Sequence, residues 1–140
     1  MAQTQNNAAA NAAGALAGAW QQNPATRGRI VILNALPLNA FPRAPHLRLD
    51  ILPVSISDLT QWVQRRVAEG WQVVHYIRHS ATVETLRTIG IPLNPQPNSG
   101  LYQYQYGDVL IVITLRNPPR GQEVQQVSPQ DLESWVVTVL

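Results

Sequence analysis

The apolar positions of this chain fall into short runs of two kinds. Ile30, Val31, Ile32 and Leu33 are continuous, and so short a run bounded by polar residues predicts a strand buried on both faces. It leads into Asn34-Ala-Leu-Pro-Leu-Asn39, a loop whose Asn side chains can bond local backbone or a ligand. From 47 to 54, Leu47, Leu49 and Ile51 alternate with Arg48 and Asp50. This predicts a second strand, at a sheet edge because Pro53 has no N–H for a ladder bond. Leu59, Trp62, Val63 and Val67 then recur at helical spacing. They predict a helix from Asp58 to Glu69, capped by Ser57, ended by Gly70, with Arg65 and Arg66 on its solvated side.

The next stretch changes period in mid-course. Val73 to Ile77 is β-branched and aromatic and reads as a strand; from Ser80 onward Val83, Leu86 and Ile89 recur every third residue. Gly90 stands where a left-handed helix end belongs. Residues 91–100, rich in proline, predict an irregular loop. Tyr and Gln alternate from Leu101 to Tyr106, Gly107-Asp108 suggests a tight turn, and Val109 to Leu115 is apolar except for Thr114. Together these predict a hairpin with an exposed first strand and a buried second one. Ser128-Pro129-Gln-Asp131 has the composition of a helix start, and 134–140 alternates as a final strand. The order β-β-α-β-α-β-β-α-β predicts an α/β (α+β) fold, a mixed sheet flanked by helices.

Composition divides the chain in two. Residues 1–28 are Ala, Gln, Asn and Gly with almost no charge and no amphipathic stripe, the signature of a disordered low-complexity tail; 29–140 has the patterning of one domain. No cysteine is present, so neither disulfides nor thiolate metal sites contribute. The net charge of +2 is too small for a general nucleic-acid coat, and no duplex partner is expected. Every basic residue is Arg, whose planar fork suits bidentate phosphate contacts. No apolar run has membrane-spanning length, and Ala8 to Trp20 lacks the basic flank of a secretion signal. The expectation is a soluble, cytoplasmic protein with no membrane partner.

The chemistry concentrates at Arg78-His79-Ser80, the join between the third strand and the second long helix. A helix N-terminus offers unpaired N–H groups and partial positive charge, so an Arg, a His and the hydroxyls of Ser80 and Thr82 there suit a phosphate with a proton donor beside it. Ser80 could equally be a plain N-cap. The carboxylates are scattered and His46, His75 and His79 lack metal-ligand spacing, so no metal or other cofactor is expected. His75, in mid-strand, reads as a satisfied core histidine. The set that remains suits a reaction whose substrate brings its own nucleophile, as the 2′-hydroxyl of RNA does. The protein then has only to align the phosphate, neutralise charge and protonate the leaving oxygen. The row Tyr102, Tyr104, Tyr106 could stack on bases, or pack on a sheet face or a subunit interface.

Four motifs occur in order: Ile-Leu-Asn-Ala-Leu-Pro (32–37), Tyr-Ile-Arg-His-Ser-Ala-Thr (76–82), Gly-Asp-Val-Leu-Ile-Val (107–112) and Leu-Arg-Asn-Pro-Pro-Arg-Gly (115–121). In this order the domain resembles the small viral ring nucleases, the type III anti-CRISPR proteins, and their bacterial host relatives. The resemblance implies a homodimer that binds a cyclic oligoadenylate, most often cyclic tetraadenylate, across its two-fold axis. It also implies cleavage without metal, by 2′-hydroxyl attack, in the host cell cytoplasm, which switches off type III CRISPR signalling. The catalytic histidine of the family falls on His79, its following hydroxyls on Ser80 and Thr82, its first-loop asparagine on Asn34 and its arginine after the buried strand on Arg116. Arg78 stands in place of a glycine, Asn94-Pro95 in place of an Asn-Arg pair, Pro119 and Arg120 where a glutamate belongs, and Pro37 in place of a serine. Arg78, Asn94 and Arg120 join the expected ligand contacts. These departures leave two alternatives open: a non-catalytic sponge of the same fold, or a viral structural or accessory protein.

Overall fold

The computed structural model describes residues 28–43, 46–116 and 126–140. The tail ahead of Gly28, and Arg120 with its loop, lie outside the described residues. The strands are β1 (Arg29–Leu33), β2 (Leu49–Val54), β3 (Gln72–His75), β4 (Val109–Leu115) and β5 (Leu132–Val139). The helices are α1 (Ile56–Ala68) and α2 (Ser80–Ile89), with single 3-10 turns at Leu38–Ala40 and Pro129–Asp131. The strands form one five-stranded mixed sheet in the order β2-β5-β4-β1-β3, so the class is the mixed α/β expected. Among the described residues no helix is long and apolar enough to cross a membrane.

Strand periodicity divides the core between the two sheet faces. Ile30, Ile32, Val109, Ile111, Ile113 and Val136 point to one face, where Leu59, Trp62 and Val63 of α1 and Val83 and Leu86 of α2 cover them. Val31, Leu33, Leu110, Val112 and Val137 point to the other, where Phe41, Tyr102 and Tyr104 cover part of the sheet, with no α-helix among the described residues of that cluster. This two-sided burial is why β1 is apolar from Ile30 to Leu33 and β4 from Val109 to Ile113. Pro53 sits on β2, an edge strand, as its missing donor requires.

The helix ends follow local chemistry. α1 begins earlier than its apolar spacing indicates: the cap is Ser55, whose hydroxyl accepts from the Asp58 N–H at 3.1 Å, and Ser57 is an exposed first-turn residue. Arg66, expected on the solvated side, is buried. Its guanidinium carbon lies 5.8 Å from the centroid of the Trp62 ring, and Nη2 reaches Glu69 Oε2 at 2.9 Å. Gly90 ends α2 at φ 112°, in the left-handed region. Gly28 is needed for a different reason: a Cβ there would lie 2.4 Å from the Trp71 ring.

Two expected elements are absent. Residues 101–106 form no strand, because both edges of β4 are already taken, by β1 in parallel and by β5 in antiparallel pairing. A hairpin partner would have to displace one of them. The segment instead folds over the sheet. Tyr102 meets Tyr76 edge-on at 5.6 Å, Tyr104 meets Phe41 at 5.6 Å, and the Tyr104 N–H donates to the Ala40 carbonyl at 2.8 Å. Tyr102 is therefore buried rather than exposed, while Tyr106 stays 90% exposed. The expected last helix is only the 3-10 turn, closed by a capping box between Ser128 and Asp131, because β5 already starts at Leu132.

Asp108 fixes this arrangement at the N-terminal ends of β1 and β4. Arg29 donates to it from Nε and Nη2 at 3.0 and 2.8 Å; the Tyr102 hydroxyl donates at 2.6 Å and the Gln105 N–H at 3.2 Å. The hydrogen bond to Asp108 raises the Arg29 pKa, whereas Tyr102 is raised mainly by burial and then by its bond to Asp108. Burial also raises Tyr104. In the unfolded chain a tyrosine ionises near pH ~10. The folded protein holds these protons to higher pH, so above that point the unfolded state binds fewer protons and stability falls as pH rises. Urea melts should therefore show stability falling with increasing pH above about 10. Tyr102→Phe should flatten that fall while costing roughly 1.5–3 kcal/mol at neutral pH, the value of a hydrogen bond to a charged group. An alkaline limb unchanged in the variant would refute the assignment.

Candidate functional site

Strand direction gathers the candidate residues. β1 pairs in parallel with β3 on one side and β4 on the other, with Ile32 opposite both His75 and Ile111. The C-terminal ends of three neighbouring strands therefore share one sheet edge, the usual position for a ligand in a parallel arrangement. Asn34 follows β1 there, Arg78 to Ser80 follow β3, and Arg116 follows β4. Adjacent strands stand about 4.8 Å apart, so Asn34 leaves the sheet between the two basic groups.

His79, not Ser80, is the N-cap of α2. Its carbonyl accepts from the N–H groups of Thr82 and Val83 at 3.1 and 3.2 Å, and Ser80 is the first helical residue, exposed. The His79 ring is half-buried with Nδ1 2.7 Å from Thr82 Oγ1. Thr82 is buried, and its hydroxyl faces the histidine ring. Arg78 is exposed and donates from Nη2 to the Gly100 carbonyl at 3.2 Å, leaning over the 91–100 loop. The helix N-terminus adds partial positive charge to this corner.

His75 is the structural histidine. It is 3% exposed; Nδ1 accepts the Ile77 N–H at 3.2 Å, so the proton is on Nε2, which donates to the Asn94 carbonyl at 2.8 Å. The Asn98 N–H donates to the His75 carbonyl at 2.8 Å, and the loop is clamped along β3. Asn94 thus serves this clamp through its backbone, and its side chain is exposed.

Arg116 is half-exposed. Its N–H donates to the Asp131 carbonyl at 2.7 Å and its Nη1 lies 3.5 Å from Glu133 Oε1. A solvated pair of that length is weak and leaves Arg116 able to exchange its partner for a phosphate. Glu133 brings to this edge a carboxylate that sequence reading had treated as scattered. Its signal lay in the β4–β5 register, which sets Thr114 opposite Glu133. Among the described residues no three His, Asp or Glu groups gather to hold a metal ion. Two cavities, of about 500 and 300 Å³, lie along the helices and share Ile89 and Pro129; Asn34, Arg78, His79 and Arg116 line neither.

The fold is similar to that of B116 of Sulfolobus turreted icosahedral virus, with a TM-score of 0.60 and 17% identity, over 79% of this chain and 98% of that one. No protein-family model matches the chain. No curated protein matches it by sequence.

The two histidines make separable predictions. His75→Ala opens a cavity and leaves the Ile77 N–H and the Asn94 carbonyl unpaired, which should cost roughly 2–4 kcal/mol in a denaturant melt. It should also speed hydrogen exchange at Asn98. His79→Ala should cost clearly less. Equal losses would mean that His79 is as structural as His75.

Proposed function

We propose that this protein is a ring nuclease that opens a cyclic oligoadenylate, with cyclic tetraadenylate the first substrate to test. The observation that carries the reading is the shared edge: Asn34, the α2 N-terminus with Arg78, His79 and Ser80, and Arg116 stand at the ends of three adjacent parallel strands. They are the residues on which the ring-nuclease motifs fall. In the reaction the ribose 2′-oxygen attacks the adjacent phosphorus and the bond from phosphorus to the 5′-oxygen breaks. His79 protonates that leaving oxygen, and the 2′-hydroxyl proton passes to solvent. Arg116 and the helix N-terminus hold the charge that builds on the phosphoryl oxygens. The viral fold relative agrees with a viral origin, and the action proposed is removal of the type III CRISPR signal in the host cytoplasm. Arg78 in the glycine position, and the absence of the Arg-loop glutamate, favour as the second reading a sponge that binds the ring without cutting it.

A ring has its own symmetry, and a two-fold pair of subunits is the commonest way to match it. Tyr102 is buried, and the partly covered face of β2 and β5, with Ile51 exposed, offers an apolar surface to a second copy. Sedimentation at micromolar concentration should show a dimer; a monomer would remove the shared-site arrangement.

Incubation with cyclic tetraadenylate in EDTA, followed by chromatography, should give linear products ending in a cyclic phosphate. Intact ligand with tight binding would establish the sponge, and no binding would remove both readings. His79→Ala should lower the single-turnover rate by roughly 10²–10⁴-fold with affinity little changed. Arg116→Ala should lower both, because it meets the phosphate before and during the reaction.

A further inference from the structure

The first turn of α2 is closed twice between the same two residues. The Thr82 N–H donates to the His79 carbonyl at 3.1 Å, and Thr82 Oγ1 lies 2.7 Å from His79 Nδ1. Other threonines of the two helices behave differently. Thr60 and Thr88 donate to the carbonyls of Ile56 and Glu84 at 2.7 and 2.8 Å, the ordinary back-bond of a helical hydroxyl, and Thr85 Oγ1 faces the carbonyls of Ala81 at 3.0 Å and Val127 at 2.5 Å. Thr82 meets an imidazole instead. It is 5% exposed, and its β-branched side chain is stiff about χ1, so packing holds its hydroxyl in place.

We propose that Thr82 is the positioning residue for His79: its hydroxyl holds Nδ1 through the proton cycle, so that proton transfer to the leaving oxygen runs through Nε2. A carbonyl or carboxylate partner can only accept and would fix a proton on Nδ1. A hydroxyl both donates and accepts. When the ring is charged, Nδ1–H donates to Thr82 Oγ1. When Nε2 has given its proton to the substrate oxygen, that bond stands unchanged. When the neutral ring carries its proton on Nε2, the hydroxyl turns and donates to Nδ1. The ring therefore keeps one orientation in each state, which a general acid requires. The catalytic half of this statement rests on the ring-nuclease reading; the positioning half does not.

The test uses the full chain with Thr82→Val, which keeps shape and burial, and Thr82→Ser, which keeps the hydroxyl. With 15N-labelled histidine, the Nδ1 resonance of His79 should carry a hydrogen-bonded shift in the wild type and Thr82→Ser and lose it in Thr82→Val. With cyclic tetraadenylate, Thr82→Val should cleave about 10²-fold more slowly at nearly unchanged Kd, the size of effect that misplacing a reacting group produces. Thr82→Ser should recover most of that rate. An Nδ1 resonance indifferent to Thr82→Val overturns the positioning role. Loss of affinity as large as the loss of rate also overturns it, since the hydroxyl would then be a ligand contact. If the wild type does not cleave, the ring-nuclease reading fails, and the nitrogen spectrum still decides the positioning.

Discussion

Parallel pairing of β1 with both neighbours is the constraint on which the rest depends. Parallel strands cannot be joined by a tight turn, so each connection must cross over the sheet, and in this chain α1 and α2 lie on those connections. The same constraint sends three chain segments off one edge together. Each leaves the sheet with a polar residue: Asn34 after β1, Arg78 and His79 after β3, Arg116 after β4. That these three segments share one edge thus follows from topology before any side chain is considered.

The two edges of the sheet are built differently. At the N-terminal ends of β1 and β4, Asp108 receives four hydrogen bonds, from Arg29 (two), Tyr102 and Gln105, and the strands and the tyrosine segment are tied together. At the opposite edge Asn34, Arg78, Ser80 and Arg116 are exposed, and the ion pair of Arg116 with Glu133 spans 3.5 Å. A buried charge needs all its partners, whereas a solvated pair of that length holds its groups only weakly. The satisfied network thus ties the register at one end of the sheet, and the weak, exchangeable pair stands at the other.

Most of the sheet was legible because strand periodicity reports burial directly. The apolar runs of β1 and β4 showed two covered faces, and Pro53 placed β2 at an edge. What sequence could not show was competition for partners. Tyr and Gln alternate from 102 to 106 as in a strand, yet β4 has no free edge and Asp108 offers the tyrosine hydroxyl a better bond. Arg66 misled for a related reason: its charge predicts solvent, but Trp62 and Glu69 give it a covered place. Position along the chain was sufficient to put Asn34, His79 and Arg116 beyond strand ends. It was insufficient for Thr82, which resembles Ser80 in chemistry and differs from it in which way the helix turns it, and for Glu133, which only the β5 register brings alongside Arg116.

The contrast between the histidines shows what settles a role when residue type does not. His75 and His79 stand on either side of the point where the strand gives way to the helix. His75 faces main chain on both ring nitrogens, and main-chain groups are fixed as donor or acceptor: the Ile77 N–H can only donate and the Asn94 carbonyl can only accept. One tautomer satisfies both, and taking up or losing a proton would break a bond in the core. His79 meets a hydroxyl at Nδ1, which can reverse its sense. A ring held by groups of fixed polarity is a clamp, and a ring held by a reversible one can change protonation state without losing its place. That difference, more than exposure or proximity to the helix end, is the physical reason to place the proposed proton transfer on His79 rather than His75.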